Sequence, residues 1–233
     1  MSVPTVESHT RVSRYGMVNA FLVQEDDGLT LIDTMIKGSA KKILAAAADL
    51  GAPIVRIVLT HAHGDHIGSL DALAAALPDA EVLISSRDAI LLSGDKTMQE
   101  GERGEVKGGF PGAKTKPTRT IEGGDRIGSL EAIATPGHTP GHLAFLDSRD
   151  RTLYCGDVFS TLFGVYTSAR ANPLFPLPYF ATWDKEIELE SAIELRTHEP
   201  AALAPGHGPV NIDALEQMDD AIAKSAEVAA RKK

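Results

Sequence analysis

Short apolar runs separated by turn residues dominate the beginning of the chain. Residues 18–24 and 29–33 are two such runs, and Asp27-Gly28 lies between them. An Asp-Gly pair in that position is typical of a β-hairpin. Residues 54–59 form a further run, rich in isoleucine and valine, which predicts a buried strand.

Helical segments are expected between these strands. Ser39 is predicted to cap a helix that ends at Gly51, and Ser69 to cap another. The last helix is predicted to begin at Asn211 or Asp213. Further helices are expected at 87–92 and 183–197, and further strands at 81–85, 119–122, 125–127, 130–135, 143–146, 152–155 and 201–204. The strands between 119 and 135 are expected to pair antiparallel with one another, and the whole pattern indicates an α/β protein.

Two segments have no regular period. Residues 94–118 are rich in glycine, lysine, glutamate and proline, which predicts a long loop that is either functional or mobile, with equal weight. Residues 159–183 carry most of the aromatic side chains and three prolines, which exclude a continuous helix.

A histidine-rich cluster follows the run at 54–59. It reads Thr-His-Ala-His-Gly-Asp-His from residue 60 to residue 66. His61 and His63 would point the same way in extended backbone, and Gly64 allows a bend that brings Asp65 and His66 back towards them. Imidazole and carboxylate bind zinc and other first-row divalent metals. A polar loop without function is the alternative, and the chain's total of 8 histidines makes such clustering hard to explain that way.

Three more candidate ligands follow apolar strands. His138 lies between two Pro-Gly turns, Asp157 follows a strand and a glycine, and His207 lies in a Pro-Gly-His-Gly turn. Loops at a sheet edge often carry binding residues, although a single strand-end aspartate is more often a turn former. With the first cluster they supply enough ligands for two adjacent metal ions and an open position for water.

Composition narrows the class of protein. The 233 residues carry a formal net charge of −9, which argues against nucleic acid or an anionic membrane as the partner. Cys155 is the single cysteine, so a thiolate metal cluster is excluded. No linker interrupts the chain, and we expect residues 1–233 to form one domain. Residues 1–10 contain no apolar signal segment, which favours a cytoplasmic protein.

These motifs, in this order, resemble the metallo-β-lactamase fold superfamily of metallohydrolases. The resemblance extends from about residue 15 to residue 210 and includes Leu-Ile-Asp-Thr at 31–34, the motif at 60–66, Thr-Pro-Gly-His-Thr-Pro-Gly-His at 135–142, Gly-Asp at 156–157 and Pro-Gly-His-Gly at 205–208. It implies an αββα four-layer sandwich, in which two mixed β-sheets lie face to face between helices.

The resemblance also implies two metal ions. One would be held by His61, His63 and His138 and the other by Asp65, His66 and His207, with Asp157 bridging them. Zinc is the expected metal, with iron or manganese as alternatives. Asp65 is expected to orient a metal-bridging hydroxide and then carry its proton. Asp33 and His142 are expected either to support the ligand histidines or to be structural hydrogen bonders at strand ends.

Comparison with branches of that superfamily reduces the number of candidate reactions. Asp157 occupies the place of the cysteine ligand of one class of zinc β-lactamase, and a second class lacks this aspartate. Glyoxalase II-like thioesterases share the ligands but continue into a long helical region, whereas 26 residues follow His207 here. Quorum-quenching lactonases share the ligands and place a tyrosine shortly after the bridging aspartate, where this chain has Val-Phe-Ser-Thr at 158–161. Persulfide dioxygenases use one iron held by two histidines and an aspartate.

The sequence therefore predicts a dinuclear metal-dependent hydrolase that cleaves a carboxylic ester, lactone or thioester. The alternatives are a mononuclear iron persulfide dioxygenase-like oxidoreductase, a glyoxalase II-like hydrolase of hydroxyacyl thioesters, and a non-catalytic member. The expected partner is a small-molecule substrate, and residues 172–180 could form a homodimer contact. A substrate pocket is predicted at Phe159, Ser160, Tyr166 and Tyr179, although core packing is the more frequent explanation for each single aromatic side chain.

Overall fold

The first sheet is built from the first half of the chain, in a computed structural model that describes residues 8–231. Its six strands lie in sequence order: β1 (His9–Arg14), β2 (Val18–Glu25), β3 (Gly28–Ile32), β4 (Ile54–Val58), β5 (Glu81–Ser85) and β6 (Arg119–Ile121). β1, β2 and β3 pair antiparallel, which confirms the predicted hairpin, and β3 to β6 run parallel. The parallel pairs need crossovers, which helices supply.

The second sheet is built from the second half. Its strands, from one edge to the other, are β14 (Asn211–Ile212), β13 (Ala202–Pro205), β10 (Thr152–Gly156), β9 (Leu143–Asp147), β8 (Leu130–Ala134) and β7 (Arg126–Ile127). β10 and β13 are parallel, and the other pairs are antiparallel. A separate pair, β11 (Phe159–Ser160) and β12 (Tyr166–Thr167), follows β10.

Helices cover the outer faces of both sheets. The helices are α1 (Ala40–Leu50), α2 (Gly64–Ile67), α3 (Leu70–Ala76), α4 (Ser86–Leu92), α5 (Leu177–Ala181), α6 (Lys185–Thr197) and α7 (Leu215–Ala230), and α5 belongs to neither of the outer apolar clusters. One buried apolar cluster lies between the sheets and includes Phe21 and Phe145. A second joins the first sheet to α1, α3 and α4, and a third joins the second sheet to α6 and α7. Three apolar layers between four layers of structure confirm the predicted αββα sandwich.

One pairing prediction was wrong. The segment 119–121 pairs parallel with β5 in the first sheet, and only β7 and β8 pair with each other as expected. The chain passes from one sheet to the other at Gly123-Gly124, where a Cβ on Gly123 would lie 2.9 Å from the backbone nitrogen of Ala134. A glycine is therefore needed where the two segments approach most closely.

The helix starts differ from the predicted caps. Ser39 and Ser69 precede α1 and α3, but neither side chain caps its helix. The Ser69 hydroxyl instead accepts from the Ser39 backbone N–H and donates to the Ile36 carbonyl, at 2.8 and 2.7 Å. It thereby joins the two helix starts to each other.

The last helix begins after Ala214, so neither Asn211 nor Asp213 caps it. Asn211 lies in β14, and Asp213 has φ +58° in the turn that follows. Within residues 8–231, no helix combines the length and apolar character that a membrane span requires.

Candidate metal centre

The candidate ligands lie together because strands of both sheets end at the same edge of the sandwich. β3, β4 and β5 run in one direction, as do β8, β10 and β13 in the other sheet. The residues that follow their carboxyl ends are Asp33 after β3, the 60–66 motif after β4, Asp88 in α4 after β5, His138 after β8, Asp157 after β10 and His207 after β13. At this edge the Leu143 backbone N–H donates to the Thr60 carbonyl at 2.9 Å, which joins one sheet to the other.

Three histidines form the first group. Nδ1 of His63 lies 3.0 Å from Nε2 of His61 and 3.0 Å from Nε2 of His138. All three rings are buried. Ligands of a tetrahedral ion with bonds of about 2.0 Å are separated by roughly 3.3 Å, which is close to these spacings.

Asp157 lies between this group and the other ligands. Its Oδ2 is 3.3 Å from Nε2 of His138 and 3.2 Å from Nε2 of His207, and its Oδ1 is 3.2 Å from Nε2 of His66. Oδ2 of Asp65 is 3.4 Å from Nε2 of His207, and the Asp65 side chain is 39% exposed. Asp65 is thus the solvent-facing member of the seven.

Ligand atoms lie within 4.8 Å of one another in three groups: His61, His63 and His138; His61, His66 and Asp157; and Asp65, His66 and His207. Every group takes two residues from the turn after β4 and one residue from the second sheet. The structure therefore brings all seven predicted ligands together, and each group depends on both sheets.

The outward nitrogen of each histidine has an acceptor. The pairs are His61 Nδ1 with Thr60 Oγ1 (3.0 Å), His63 Nε2 with the Lys107 carbonyl (2.8 Å), His66 Nδ1 with Asp33 Oδ2 (2.7 Å), His138 Nδ1 with Thr182 Oγ1 (3.0 Å) and His207 Nδ1 with the Met17 carbonyl (3.1 Å). Carbonyl and carboxylate oxygens only accept, and the Thr60 and Thr182 hydroxyls donate elsewhere, to Asp33 and to the Pro178 carbonyl, so each outward nitrogen carries a ring proton. When the ring is neutral, the inward nitrogen then presents a lone pair, which is the form that binds a metal.

Two inward atoms show that the residues fit a metal ion. His66 Nε2 and Asp157 Oδ1 face each other at 3.2 Å, yet neither has a hydrogen-bond partner among the described residues. A buried polar atom without a partner is costly, and a cation between these two would satisfy both. The donor set of imidazole and carboxylate matches zinc, iron or manganese.

Electrostatics divide the histidines into two kinds. Burial lowers the pKa of His61, His63 and His138, so these rings stay neutral. Burial also opposes protonation of His207, but Asp157 and Asp65 outweigh it and raise the pKa of His207 to about 10. In the chain alone, protons occupy positions on the aspartate-rich side that a cation would take.

The two predicted supporting residues act in different ways. Asp33 accepts from His66 and also from the backbone N–H and hydroxyl of Thr60, at 2.9 and 2.8 Å. It therefore reaches two ligand histidines, because Thr60 in turn accepts from His61. Nε2 of His142 accepts from the Asp157 backbone N–H at 3.1 Å, and Nδ1 donates to Thr135. His142 thus positions the backbone of Asp157 rather than a ligand histidine.

The four predicted pocket residues are not gathered around one cavity. Phe159 is fully buried in the cluster beneath α6 and α7. The Ser160 hydroxyl donates to the His207 carbonyl at 3.3 Å. Tyr166 lines a surface cleft with residues of α7, and Tyr179 lies under the Lys185 ammonium group. These positions favour packing and support over direct substrate contact.

The long loop contributes to the centre, as one of the two expectations for it had allowed. Besides the Lys107 carbonyl on His63, the ring of Phe110 lies 4.6 Å from the His63 ring. The Trp183 indole N–H donates to the Arg103 carbonyl at 2.7 Å, and the Lys107 ammonium donates to the Trp183 carbonyl at 3.1 Å. Trp183 thus fastens the loop across the histidines.

Two polar residues of the centre were missed at the sequence level. Asn19 is buried in β2, and its amide donates to the Pro205 and Gly208 carbonyls at 2.9 and 2.6 Å, which holds the His207 turn. Asp88 accepts hydrogen bonds from the loop that carries His61 and His63 and from the loop that carries His138. Asn19 could have been found in the sequence, because an amide side chain within an apolar strand needs hydrogen-bond partners. Asp88 could not, because it follows Ser85 by three residues and so resembles part of an ordinary helix cap.

Comparison with known proteins identifies the family. Residues 14–207 match the family profile described as the metallo-beta-lactamase superfamily. The chain belongs to the metallo-beta-lactamase superfamily. Within it, the chain is 48% identical over 210 residues to the uncharacterized protein YobT of Bacillus subtilis, covering 89% of this chain and 90% of YobT.

Other members of the superfamily carry functional names. The probable metallo-hydrolase YflN of Bacillus subtilis is 29% identical over 215 residues, with 82% of this chain and 81% of YflN covered. A hydroxyacylglutathione hydrolase of Rhodospirillum rubrum is 36% identical over 148 residues, covering 62% of this chain and 46% of that protein. Among solved structures, TTHA1623 in a di-iron-bound form superimposes with a TM-score of 0.64 at 28% identity, covering 89% of this chain and 96% of that one. The chain is thus a member of a metallo-hydrolase superfamily with a site that fits metal ions.

Proposed function

We propose that this protein is a dinuclear metal-dependent hydrolase of carboxylic ester, lactone or thioester bonds. The observation that carries the proposal is the position of Asp157, whose two oxygens lie 3.2–3.3 Å from histidines of all three ligand groups. A carboxylate so placed would bridge two ions, one held by His61, His63 and His138 and the other by Asp65, His66 and His207. Zinc is the proposed metal.

When bound, two such ions would acidify water and polarise the carbonyl of a substrate. Asp65 is the residue of the chain that would handle the proton. Burial opposes its ionisation, but hydrogen bonding and the charges of His207 and His66 outweigh burial and lower the pKa of Asp65, so its carboxylate is ionised and can accept a hydrogen bond from water. Its partial exposure allows the proton to pass on to a leaving group or to solvent.

The hydroxyacylglutathione hydrolases among the relatives support a thioester as one candidate substrate. The part of the Rhodospirillum rubrum protein that this chain matches is about half of that protein. The substrate class for this chain therefore includes thioesters without assuming glutathione as the thiol.

The test is metal quantification alongside a panel of substrates. The purified protein, stripped and then loaded with zinc, manganese or iron, is assayed with p-nitrophenyl esters, lactones, thioesters including a hydroxyacyl glutathione thioester, and phosphodiesters. We expect two ions per chain and acid release from at least one ester, lactone or thioester, with stripped protein as the control.

Two results would contradict the proposal. One iron per chain with oxygen uptake on a persulfide substrate would point to an oxidoreductase. Two bound ions without hydrolysis of any carboxylic substrate would indicate either a different bond or a non-catalytic role.

A further inference from the structure

Asp88 is a fully buried carboxylate that belongs to none of the metal-ligand groups. It lies in the first turn of α4, immediately after β5. Burial raises the pKa of this carboxyl group to about 6, outweighing the hydrogen bonds that favour the ionised form. Around neutral pH the group is therefore mainly an anion that can accept on both oxygens.

Its two oxygens accept three hydrogen bonds from two separate loops. The Ala62 backbone N–H donates to Oδ2 at 2.9 Å, and the Thr139 hydroxyl donates to the same oxygen at 2.8 Å. The Gly141 backbone N–H donates to Oδ1 at 2.9 Å. A Cβ on Gly141 would lie 2.7 Å from Oδ1, so the loop approaches the carboxylate as closely as its backbone allows.

The donors stand next to the three histidines of the first group. Ala62 is the residue between His61 and His63, and Thr139 directly follows His138. One carboxylate thus joins the first-sheet and second-sheet halves of that group. The hydrogen bonds of Asp88 do not extend to Asp65, His66 or His207.

We infer that Asp88 is a positioning residue that sets the spacing of His61 and His63 against His138, and so selectively sets the affinity of that one metal position. The inference rests on the proposed dinuclear site. Three hydrogen bonds to one buried anion hold the two loops at a fixed separation, and a displaced imidazole no longer meets the geometry of a tetrahedral ion.

Asp88→Asn is the direct test because it keeps the size of the side chain. A carboxamide has one oxygen and one NH₂ group, so it must point N–H groups at either Gly141 or the Ala62 and Thr139 donors. In either orientation, at least one N–H group of the amide faces another hydrogen-bond donor, and that hydrogen bond is lost. Thr139→Val removes a single donor and provides a milder second variant in case Asp88→Asn folds poorly.

The experiment is a zinc titration of the full chain against a chromophoric chelator at about pH 7.5, where the proposed site gives two dissociation constants. In Asp88→Asn we expect one constant to rise about 10- to 100-fold, the range usual for partners of ligand residues, and the other to change less than about 3-fold. Thr139→Val should raise the same constant by a smaller factor. In a His138→Ala background, Asp88→Asn should have no further effect, because the position it supports is already lost.

Two control variants distinguish a specific effect of Asp88 on metal affinity from a general loss of stability. Asp71→Asn removes a carboxylate that also accepts three hydrogen bonds from a loop, at Lys114 and Thr115, and should leave both constants unchanged. Ser85→Ala removes the hydroxyl that accepts from the Asp88 backbone N–H and loosens α4 without touching the carboxylate. It should lower the unfolding temperature and leave both constants unchanged.

The results that overturn the inference are specific. Unchanged constants in Asp88→Asn and Thr139→Val would do so, as would an equal rise in both constants that Ser85→Ala reproduces. A wild-type chain that binds no zinc would overturn it together with the proposed function. A wild-type chain that binds two ions but hydrolyses nothing would count against the proposed function alone, since the constants could still be compared.

Discussion

Nδ1 of His66 lies 2.7 Å from Oδ2 of Asp33, and this contact fixes which nitrogen of the ring faces the metal centre. Asp33 has φ +59°, a left-handed conformation that asparagine tolerates. Asp33→Asn should therefore keep the fold, but its single oxygen cannot accept both from His66 and from the Thr60 backbone N–H, which bond to different oxygens of Asp33. We expect metal affinity to fall about 10- to 100-fold, measured by chelator competition. Wild-type affinity in a folded variant would show that the ring is held by other contacts.

Asp65→Asn tests the proton carrier. The amide keeps the size of the side chain but cannot accept a proton from water, so turnover should fall about 10²- to 10⁴-fold while the protein stays folded. The measurement is kcat together with the metal content of the same sample. Near-wild-type turnover with metal still bound would remove this role from Asp65.

Gly206→Ala tests how tightly the turn before His207 packs on the centre. The new Cβ would lie 2.5 Å from Asp157 Oδ1 and 2.5 Å from His66 Cε1, so both ligands must move. We expect at least about a tenfold loss of metal affinity. Gly109→Ala, where a Cβ meets nothing within 4 Å, is the matched control and should bind metal normally. Equal affinities in the two variants would contradict the close packing described here.

The buried side chain of Glu188 should make the free energy of unfolding fall as the pH rises. Burial, and next the charge of Asp157, raise the pKa of this α6 carboxyl group well above its ordinary value of 4.5, against a smaller opposing effect of the His138 backbone. Below the ordinary value, folded and unfolded chains are both protonated. As the pH rises further, the unfolded chain releases the proton first, so stability falls until the pKa of the folded state is reached.

Glu188→Gln removes this dependence. In urea unfolding of the metal-free protein from about pH 5 upwards, the variant's advantage over wild type should grow with pH, by at most about 1.4 kcal/mol per pH unit, until the pKa of the folded state is reached. Glu190→Gln removes an exposed carboxylate from the same helix and serves as the control. A constant difference between Glu188→Gln and wild type across this range would disprove the buried neutral carboxyl group.

The sequence predicted the helices and strands that are determined by residues close together in the chain. The hairpin, the strand at 54–58 and its histidine-rich turn carry their own apolar runs and turn residues, and the structure has them where expected. The edge strand β1 was missed because Val12 is the one buried residue in it, which leaves no apolar run. The parallel pairing of β6 with β5 was missed because such pairing joins segments more than thirty residues apart.

The supporting contacts were harder to predict than the ligands. Ser69 has the sequence context of a helix cap, but its hydroxyl joins two helix starts instead. The acceptors on His63 and His207 are backbone carbonyls of Lys107 and Met17, which carry no side-chain signature. The single domain, the cytoplasmic location and the homodimer contact remain predictions.

Each ligand group combines two residues from the turn after β4 with one from the opposite sheet. A bound ion would accordingly cross-link the two sheets, and separating the sheets would remove at least one ligand from every metal position. Cation release and separation of the two sheets then become a single event. Chelators should therefore lower the mechanical resistance of this protein as well as its chemical activity.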